Sequence, residues 1–442
     1  MKQVSKILVA NRGEIAVRII RTCREMGVQT VAVYSTADRD GLHVRMADEA
    51  VCIGPPQPKD SYLAQRNLLT AAVKTNCDAI HPGVGFLSEN AGFARSVREQ
   101  GLYFIGPSPE VIDLLGDKVR ARETAQEFGL PVTPGTKTAV GDADDVEKIV
   151  TDLGLPVIIK AAAGGGGKGM RIVRKASELM ENLAVARREA EANFSDGRVF
   201  IERFIEDPRH VELQLLSDDK TTLVLGERDC SVQRNHQKLI EESPSNGVTD
   251  FMRGVMEQGA VRMFRELGYR GAGTIEFLVE GDKFYFMEVN ARIQVEHPVS
   301  EFVSGVDIVR QQILACTEGE MEIDSVSLKG WAIECRINAL GPGRVTALRV
   351  PGGPGVRFDA FLYETCTVPP YYDAMVGKLI VHAPNRRQAV AKMERSLGEL
   401  VIEGIKTNQA EQLRIIKNDV FRSGDFGVSF IKQFENKVSN NF

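Results

Sequence analysis

The stretch 273–301 constrains the fold of this chain more than any other part of the sequence. It contains two short runs rich in Ile, Phe, Val and Tyr, at residues 274–279 and 284–289, and Gly281-Asp282 lies between them. Apolar runs of β-branched and aromatic residues joined by a Gly-Asp pair are typical of a β-hairpin. The sequence therefore predicts two antiparallel strands at this point.

Three oxygen-bearing side chains interrupt the predicted hairpin, namely Glu276, Glu288 and Asn290. Because side chains alternate faces along a strand, Glu288 and Asn290 point the same way. Glu276 joins them only if it pairs directly opposite Glu288, which needs a three-residue loop or a bulge, since a two-residue loop alone would put Met287 opposite. In that register the oxygens suit Mg²⁺ carrying phosphate. A hairpin edge whose charges face water is the alternative.

Length and composition limit the class of protein. A chain of 442 residues is long enough for about three domains. Its formal net charge of −5 comes from interspersed charges, which gives no sign of a nucleic-acid or membrane partner. We expect a cytoplasmic protein, because there is neither a spanning apolar run nor a signal-peptide core. Seven scattered cysteines without a Cys-x-x-Cys pair argue against a disulfide framework or a zinc site.

The N-terminal part has the pattern of an α/β fold. A strand at 6–10, a helix at 14–26 and a strand at 30–34 predict a βαβ opening of a parallel sheet. The Gly-x-Gly-x-x-Gly turn of dinucleotide sites is missing. His81 and Glu89 flank a loop after a further strand, at the sheet edge where ligands bind in open α/β folds. A structural role for His81 is the alternative.

A smaller α+β unit is predicted at about 134–203. Its strand at 156–162 carries Lys160, and a lysine inside an apolar strand is costly unless it faces a ligand or a counter-charge. Four glycines at 164–167 follow, whose backbone N–H groups can lie against phosphate oxygens. This is not a Walker A loop, because no Ser or Thr follows Lys168. A flexible glycine linker is the alternative.

Two later segments concentrate polar groups. Segment 226–245 packs eight acidic, basic and amide or imidazole side chains together, and a solvated strand is its alternative interpretation. In segment 330–339, alternation places Glu334 and Arg336 on one strand face, opposite apolar neighbours. The stretch 210–216, which precedes both, alternates polar and apolar residues and predicts a half-buried strand that faces a cleft.

Taken together, these segments resemble biotin carboxylase, a member of the ATP-grasp superfamily. The matches follow the family's order over almost the whole chain: ANRGEIAVRIIR (10–21), HPGVGFLSEN (81–90), GDK (116–118), IIKAAAGGGGKGMRIV (158–173), DPRHVELQ (207–214), ERDCSVQRNHQK (227–238), RGAGTIEF (270–277), MEVNARIQVEHPVSE (287–301), IECRINA (333–339) and VPPYYDAMVGKLI (368–380). Related carbamoyl-phosphate and amino-acid ligases share the architecture but lack the RIQVEHP segment.

The resemblance implies an α/β fold with three domains. These are a Rossmann-like N-terminal domain at 1–115, an ATP-grasp domain at 116–328 and a C-terminal α+β domain at 329–442. Within the ATP-grasp domain, the unit at about 134–203 would be a mobile lid, and ATP would lie between this lid and the main body.

The resemblance also implies the ATP and metal contacts. Residues at the family's ATP-binding positions are Lys118, Lys160, Gly166, Gly167, Glu202, Arg203, Phe204, Ile205, His210, Gln233, His236, Glu276, Leu278 and Glu288. Glu276, Glu288 and Asn290 match the family's metal ligands, which agrees with the hairpin argument. Two Mg²⁺ or Mn²⁺ ions are expected there.

The reaction implied by the resemblance has two steps. Bicarbonate attacks the γ-phosphate of ATP to form carboxyphosphate, and the CO₂ released from it goes to N1′ of biotin. Glu296 matches the base that deprotonates bicarbonate. Arg292 matches the bicarbonate clamp, and Arg336 matches the group that stabilises the biotin enolate. Further bicarbonate contacts are expected at Lys238, Gln294 and the Val295 backbone.

Partners follow from the same resemblance. No Ala-Met-Lys-Met biotinylation segment occurs, so biotin is expected on a separate biotin carboxyl carrier protein. Carboxyltransferase subunits and a second copy of this chain are the other expected partners. Arg21 and Glu25 match homodimer positions, and a solvated helix face is their alternative. Val84, Asn235 and a shortened loop at 340–355 depart from the family pattern.

The final carboxyl acceptor stays open. An acetyl-CoA carboxylase subunit, which serves fatty-acid synthesis, is the leading hypothesis. A subunit of a pyruvate or 2-oxoglutarate carboxylase is an alternative, as is another ATP-grasp ligase. A catalytically silent ATP-binding subunit belongs to a different class, and the three departures motivate it.

Overall fold

A computed structural model describes residues 4–136, 138–141, 145–161, 170–194 and 196–439. The fold is of the predicted α/β class, with a parallel sheet in the N-terminal part followed by antiparallel sheets. Among the described helices, none is both long enough and apolar enough to cross a membrane.

The N-terminal part is a five-stranded parallel sheet covered by helices. Its elements are β1 (Lys6–Val9), α1 (Gly13–Glu25), β2 (Gln29–Ser35), α2 (Leu42–Met46), β3 (Glu49–Gly54), α3 (Gln65–Lys74), β4 (Ala79–His81), α4 (Ala91–Glu99), β5 (Tyr103–Phe104), α5 (Pro109–Gly116) and α6 (Lys118–Glu127). The strand order is β3-β2-β1-β4-β5, so the predicted βαβ opening is confirmed. Strand β3 was not predicted, because this exposed edge strand has no apolar alternation.

The unit predicted as a lid has a sheet and a core of its own. Its elements are α7 (Val146–Leu153), β6 (Val157–Ala161), β7 (Met170–Val173), α8 (Leu179–Phe194) and β8 (Val199–Arg203). The strands form an antiparallel sheet in the order β7-β6-β8. Val157, Ile159 and Ile201 pack with apolar residues of α7 and α8 in a separate cluster. The four glycines at 164–167 follow β6 in the sequence, and the candidate residues Gly166 and Gly167 are outside the described residues.

The central part contributes five long strands. Its elements are β9 (Arg209–Ser217), β10 (Thr222–Arg234), β11 (Gln237–Ser243), α9 (Asp250–Glu266), β12 (Gly271–Glu280), β13 (Lys283–Asn290), α10 (His297–Ser304) and α11 (Ile308–Thr317). Segment 226–245 forms most of a hairpin, β10 and β11, whose residues between 225 and 232 are all buried, so the interpretation as a solvated strand was wrong. Helix α10 was not predicted, because the polar run before it hides its start.

The C-terminal part continues the same sheet. Its elements are β14 (Trp331–Asn338), β15 (Gly343–Arg344), β16 (Ala347–Arg349), β17 (Val356–Ala360), β18 (Thr367–Val368), β19 (Met375–Ala383), α12 (Arg386–Glu399), β20 (Val401–Glu403), α13 (Gln409–Lys417), α14 (Asp419–Ser423) and α15 (Phe430–Ser439). Strand β14 pairs with β11, which gives an eight-stranded antiparallel sheet in the order β13-β12-β9-β10-β11-β14-β19-β17. Polar side chains far apart in sequence therefore share one rigid surface.

Candidate active site

The hairpin of β12 and β13 has the register that the metal prediction required. A two-residue loop joins the strands, with Glu280 paired to Lys283. A bulge at Met287 then shifts the register, so that Glu276 lies directly opposite Glu288. Of the two routes to this pairing that the sequence left open, the structure uses the bulge.

The carboxylates of this pair differ in their surroundings. Glu276 accepts hydrogen bonds from Asn290 Nδ2 at 3.0 Å and lies 2.8 Å from His210 Nε2. Glu288 has no hydrogen-bond partner among the described residues, and its nearest cation is Lys118 Nζ at 4.0 Å. Burial and the neighbouring Glu276 charge raise the pKa of Glu288. A divalent cation would relieve this repulsion, so the donor set fits Mg²⁺ or Mn²⁺.

Lys238 lies at the centre of a buried cluster of carboxylates. Its Nζ donates to Glu212 Oε2 at 2.8 Å, to Glu276 Oε1 at 3.0 Å and to Glu296 Oε1 at 2.7 Å. Burial opposes the ammonium charge, but these carboxylates raise the pKa of Lys238 well above its usual value. Lys238 therefore stays charged and keeps three acidic side chains together.

Glu296 is held from its other side by Arg336. Arg336 donates to Glu296 Oε2 at 3.0 Å and, through Nε, to Glu241 Oε1 at 2.6 Å. Burial favours the neutral acid, but Lys238 and Arg336 lower the pKa of Glu296 well below its usual value. Glu296 is thus ionised, which is the form that can accept a proton.

Arg292 presents its guanidinium at the edge of the same cluster. Its Nε donates to Glu89 Oε2 at 2.8 Å, and its two terminal nitrogens donate to Asn290 Oδ1 and Gln294 Oε1, both at 3.0 Å. Gln294 Nε2 lies 3.4 Å from Glu276 Oε1. The loop that carries Glu89 thereby orients the guanidinium plane from the N-terminal part.

Two backbone donors lie next to these side chains. Glu296 is the N-cap residue of α10, and the N–H groups of Val295 and Glu296 have no hydrogen-bond partner in the described part of the chain. The N-terminal end of a helix favours an anion through its dipole and free N–H groups. The surroundings of Arg292 and Lys238 are therefore suited to a small anion.

Lys160 reaches the cleft from the lid. Its Nζ donates to Glu202 Oε2 at 2.7 Å, and Arg122 donates to Glu202 Oε1 and to the Thr133 carbonyl. Burial alone would raise the pKa of Glu202, but Lys160 and Arg122 lower it. Lys160 is thus paired with Glu202, and Arg122 is a second cation bound to the same carboxylate.

The residues expected beside the nucleotide base lie at the end of β8 and directly after it, where the chain leaves the lid. Phe204 donates its N–H to the Pro156 carbonyl at 2.9 Å, and Ile205 is buried. Arg203 instead donates to Glu280 and Tyr285 at the far end of the β12–β13 hairpin. The Arg203 side chain is therefore directed to the turn end of that hairpin and not to the carboxylates around Lys238.

The remaining nucleotide candidates lie along the same sheet. Leu278 pairs with His210 across β12 and β9, and Gln233 pairs with Lys238 across β10 and β11. His236 is exposed in the turn of the second hairpin, where it and Asn235 have φ values of 64° and 50°. Asparagine tolerates this left-handed conformation, which accounts for the residue at that departure from the family pattern.

His81 has a structural role, which was predicted as the alternative to a position at a ligand-binding edge. It is buried, and its Nδ1 accepts a hydrogen bond from Gly83 N at 3.1 Å. Its imidazole orients the loop that leads to Glu89.

Two carboxylates of the cluster, Glu212 and Glu241, were not among the predicted site residues. Glu212 lies between His210 and Gln214 in the alternating strand β9, and Glu241 lies in the polar segment that includes Lys238. Each is an acidic residue inside an otherwise apolar or buried strand, and this costly placement was the sequence signal that could have identified it as a site residue.

Comparison with known families covers most of the chain. A family model described as biotin carboxylase, N-terminal domain, matches residues 3–112. The carbamoyl-phosphate synthase L chain, ATP binding domain, matches 117–321, and the biotin carboxylase C-terminal domain matches 334–433.

Full-length relatives agree with these matches. Biotin carboxylase 1 of Bacillus subtilis (strain 168) is 47% identical over 445 residues, which cover 98% of this chain and 99% of that protein. A biotin carboxylase of Nostoc sp. is 49% identical over 440 residues, covering 97% of this chain and 98% of the relative.

Solved structures with the same architecture are also similar in sequence. The biotin carboxylase–β,γ-ATP complex from Campylobacter jejuni has a TM-score of 0.94 at 42% identity and covers 98% of this chain and 99% of that one. The biotin carboxylase domain dimer of Hydrogenobacter thermophilus 2-oxoglutarate carboxylase, with MgADP, ADP and bicarbonate, has a TM-score of 0.92 at 41% identity, with 98% coverage of both chains. The biotin carboxylase subunit of a pyruvate carboxylase has a TM-score of 0.85 at 43% identity, with 98% and 99% coverage. By sequence and fold, this chain belongs to the biotin carboxylase family.

Proposed function

We propose that this chain uses ATP and bicarbonate to carboxylate biotin through carboxyphosphate. The observation that carries the proposal is the ionised Glu296 between Lys238 and Arg336, beside the free N–H groups at the start of α10. This arrangement combines a proton acceptor with cations and backbone donors. Bicarbonate needs all three, because it must be bound as an anion and lose a proton before it attacks.

The first step needs bicarbonate to become a better nucleophile. Arg292 and the Val295 N–H would hold the anion, and Glu296 would take its proton. The bicarbonate oxygen then forms a bond to the γ-phosphorus, and the bond from that phosphorus to the ADP oxygen breaks. Lys238 remains near the transferring group and balances its negative charge.

The nucleotide would be bound between lid and sheet. Lys118 and Lys160 are assigned to phosphate oxygens, together with His210, Gln233 and His236 around the nucleotide. Glu202–Ile205 are assigned to the adenine side, where the backbone of β8 and the residues after it offer donors and acceptors. Leu278 would pack on the base.

Glu276, Glu288 and Asn290 would hold the metal ions. Carboxylate and amide oxygens on facing strands are ligands that Mg²⁺ and Mn²⁺ accept. When bound, the metal neutralises phosphate charge during phosphoryl transfer.

The second step places the carboxyl group on biotin. Breakage of the C–O bond of carboxyphosphate gives CO₂ and phosphate, and the phosphate removes the proton from N1′ of biotin. N1′ then forms a bond to CO₂. Arg336 is assigned to the developing enolate oxygen, because its guanidinium stays charged beside two carboxylates.

Domain limits and partners are part of the proposal. We place the domains at 1–115, 116–328 and 329–442, with the lid at about 134–203, which is supported by the separate lid core and by the family matches on either side. A biotin carboxyl carrier protein, carboxyltransferase subunits and a second copy of the chain are the proposed partners. The relative from Hydrogenobacter thermophilus is a dimer, which supports the last of these.

Acetyl-CoA is the proposed final acceptor. The similar structures from a 2-oxoglutarate carboxylase and a pyruvate carboxylase keep the other two acceptors as alternatives. The acceptor would be identified by adding each carboxyltransferase with its carrier and following carboxylated product.

The test of the proposed function is MgATP hydrolysis by the purified chain, with bicarbonate and free biotin added separately and together. We expect hydrolysis to require bicarbonate and to rise with biotin. Hydrolysis that is indifferent to both would contradict the proposal and favour another ligase. ATP binding without hydrolysis would identify a silent subunit.

A further inference from the structure

The peptide that carries the anion-binding N–H groups is fixed from its buried side. The Gln294 carbonyl accepts a hydrogen bond from His297 Nδ1 at 2.7 Å. The Val295 carbonyl accepts one from Lys378 Nζ at 2.6 Å. Both carbonyls thus have a side-chain donor.

Fixing a carbonyl also fixes the next N–H group. The only cis peptides among the described residues precede Pro156 and Pro244, so the bond from Val295 to Glu296 is trans. In a trans peptide the C=O and the following N–H point in opposite directions. The direction of the Lys378 hydrogen bond therefore sets the direction of the Glu296 N–H. In the same way, His297 sets the direction of the Val295 N–H.

Lys378 is an unusual residue for this task. Its side chain is 0% exposed, although a lysine charge is costly to bury without partners. It lies on β19 directly opposite Arg336 of β14, so both side chains leave the same face of the sheet. Lys378 therefore lies behind the bicarbonate peptide and beside the residue assigned to biotin.

Glu14 provides the counter-charge from a distant part of the chain. Its Oε1 lies 3.1 Å from Lys378 Nζ, and its side chain is buried in α1. Burial raises the pKa of Glu14, although Lys378 opposes this effect. The ion pair connects the N-terminal helix α1 with the C-terminal strand β19 at the peptide between them.

We propose that Lys378, held by Glu14, is a positioning residue for bicarbonate. It aims the Glu296 N–H and the Glu296 side chain by holding the Val295 carbonyl. This inference rests on the proposed function and extends it to two residues that do not touch the substrate. The hydrogen bond and the ion pair of Lys378 go to Val295 and Glu14, and neither of these residues is assigned to ATP.

The test uses a double variant, Lys378→Met with Glu14→Gln, so that neither member of the ion pair is left without the other. We expect the KM for bicarbonate to rise about tenfold, because a charge-assisted hydrogen bond that orients a ligand donor is lost. The KM for ATP should stay within about twofold of the wild-type value. A merely structural role would not separate the two constants.

The matched control is Arg386→Met with Glu242→Gln. This pair is also buried and also involves the large sheet, with Arg386 Nε 2.7 Å from Glu242 Oε2, but it does not contact residues 294–296. We expect it to leave the KM for bicarbonate unchanged. An equal rise in the control, or no rise in the double variant, would overturn the inference.

A second variant, Lys378→Gln with Glu14→Gln, keeps a neutral donor near the Val295 carbonyl and tests the inference even if the methionine variant does not fold. It should recover part of the bicarbonate affinity, and a KM for bicarbonate equal to the wild-type value would count against a role for the charge. Wild-type activity that does not depend on bicarbonate would instead overturn the proposed function, and this inference with it.

Discussion

Lys238 and Lys160 are both cations of the cleft, yet the protein holds them in different ways. Lys238 lies on the eight-stranded sheet, where three carboxylates surround it and its side chain is 12% exposed. Lys160 lies on the lid, where one carboxylate pairs with it and its side chain is 27% exposed. Residues of several strands hold Lys238, whereas the Lys160 ammonium has a single side-chain partner within the described ranges.

The difference suggests how the two regions work. Several buried partners keep the charge of Lys238 in place before any ligand arrives, which is the property of a preorganised site. Lys160 can exchange Glu202 for a phosphate oxygen, because Arg122 still neutralises Glu202 afterwards. We infer that the sheet provides the chemistry and that the lid provides nucleotide affinity.

The largest effect is expected from Glu296→Gln. The amide keeps the shape of the side chain but cannot take a proton, so bicarbonate-dependent turnover should fall by about 10²–10⁴-fold. The KM for ATP should change little, because Lys238 keeps Glu212 and Glu276. Steady-state ATP hydrolysis at varied bicarbonate measures both constants.

Glu320→Gln is the control for this variant, since Glu320 pairs only with exposed Lys220 in the described structure. We call Lys238 with Glu212, Glu276 and Glu296 the sheet cluster. If Glu296→Gln turned over within tenfold of the wild-type rate, the sheet cluster would not supply the proton acceptor of the reaction.

A smaller effect is expected from Lys160→Met, and it should fall on ATP binding and not on the bicarbonate step. Loss of one cation at the phosphates should raise the KM for ATP about tenfold. The KM for bicarbonate should not change, because Lys160 does not contact the sheet cluster. Kinetics with ATP and bicarbonate varied in turn separate these constants.

Lys175→Met, an exposed lid lysine, is the matched control and should behave as the wild type. If Lys160→Met weakened bicarbonate as much as ATP, the division of work between lid and sheet would be wrong.

The smallest effect concerns pH. Burial lowers the pKa of His81 to about 3 and that of His43 to about 4. Below pH about 6.5 these histidines are protonated in the unfolded chain but stay neutral in the folded protein. The free energy of unfolding therefore falls as the pH decreases from about 6.5 towards 4. The stretch 134–203 contains no histidine. Acidification should therefore loosen the N-terminal sheet before the lid.

Hydrogen exchange followed by mass spectrometry at pH 5.5 and 7.5, corrected for the intrinsic rate, measures this difference. The N-terminal strands should lose protection at pH 5.5, and His43→Gln should reduce the loss. Equal loosening of the lid would contradict the assignment to histidine burial.

Local patterns predicted much of the fold and part of the site. Alternation and turn residues were enough to predict the strands that bear Glu276, Glu288 and Lys160. They could not decide between a loop and a bulge in the β12–β13 hairpin, because that choice depends on packing across the sheet. The hidden start of α10 and the exposed strand β3 gave no periodic signal.

The contacts between distant segments were beyond local patterns. Glu212 and Glu241 reach Lys238 and Arg336 through strand pairing, which the sequence does not reveal. In the sequence, Lys378 is an isolated lysine in an apolar run. Only the pairing of β19 with β14 places it beside Arg336. Its partner Glu14 is more than 360 residues away along the chain.

The most direct test of the central claim follows an oxygen atom. With ¹⁸O-labelled bicarbonate and MgATP, attack by bicarbonate on the γ-phosphorus leaves one bicarbonate oxygen on each phosphate released. We predict one ¹⁸O per phosphate, detected by mass spectrometry, and almost none with Glu296→Gln. Phosphate whose new oxygen comes only from water would contradict carboxyphosphate formation and the role given to the sheet cluster.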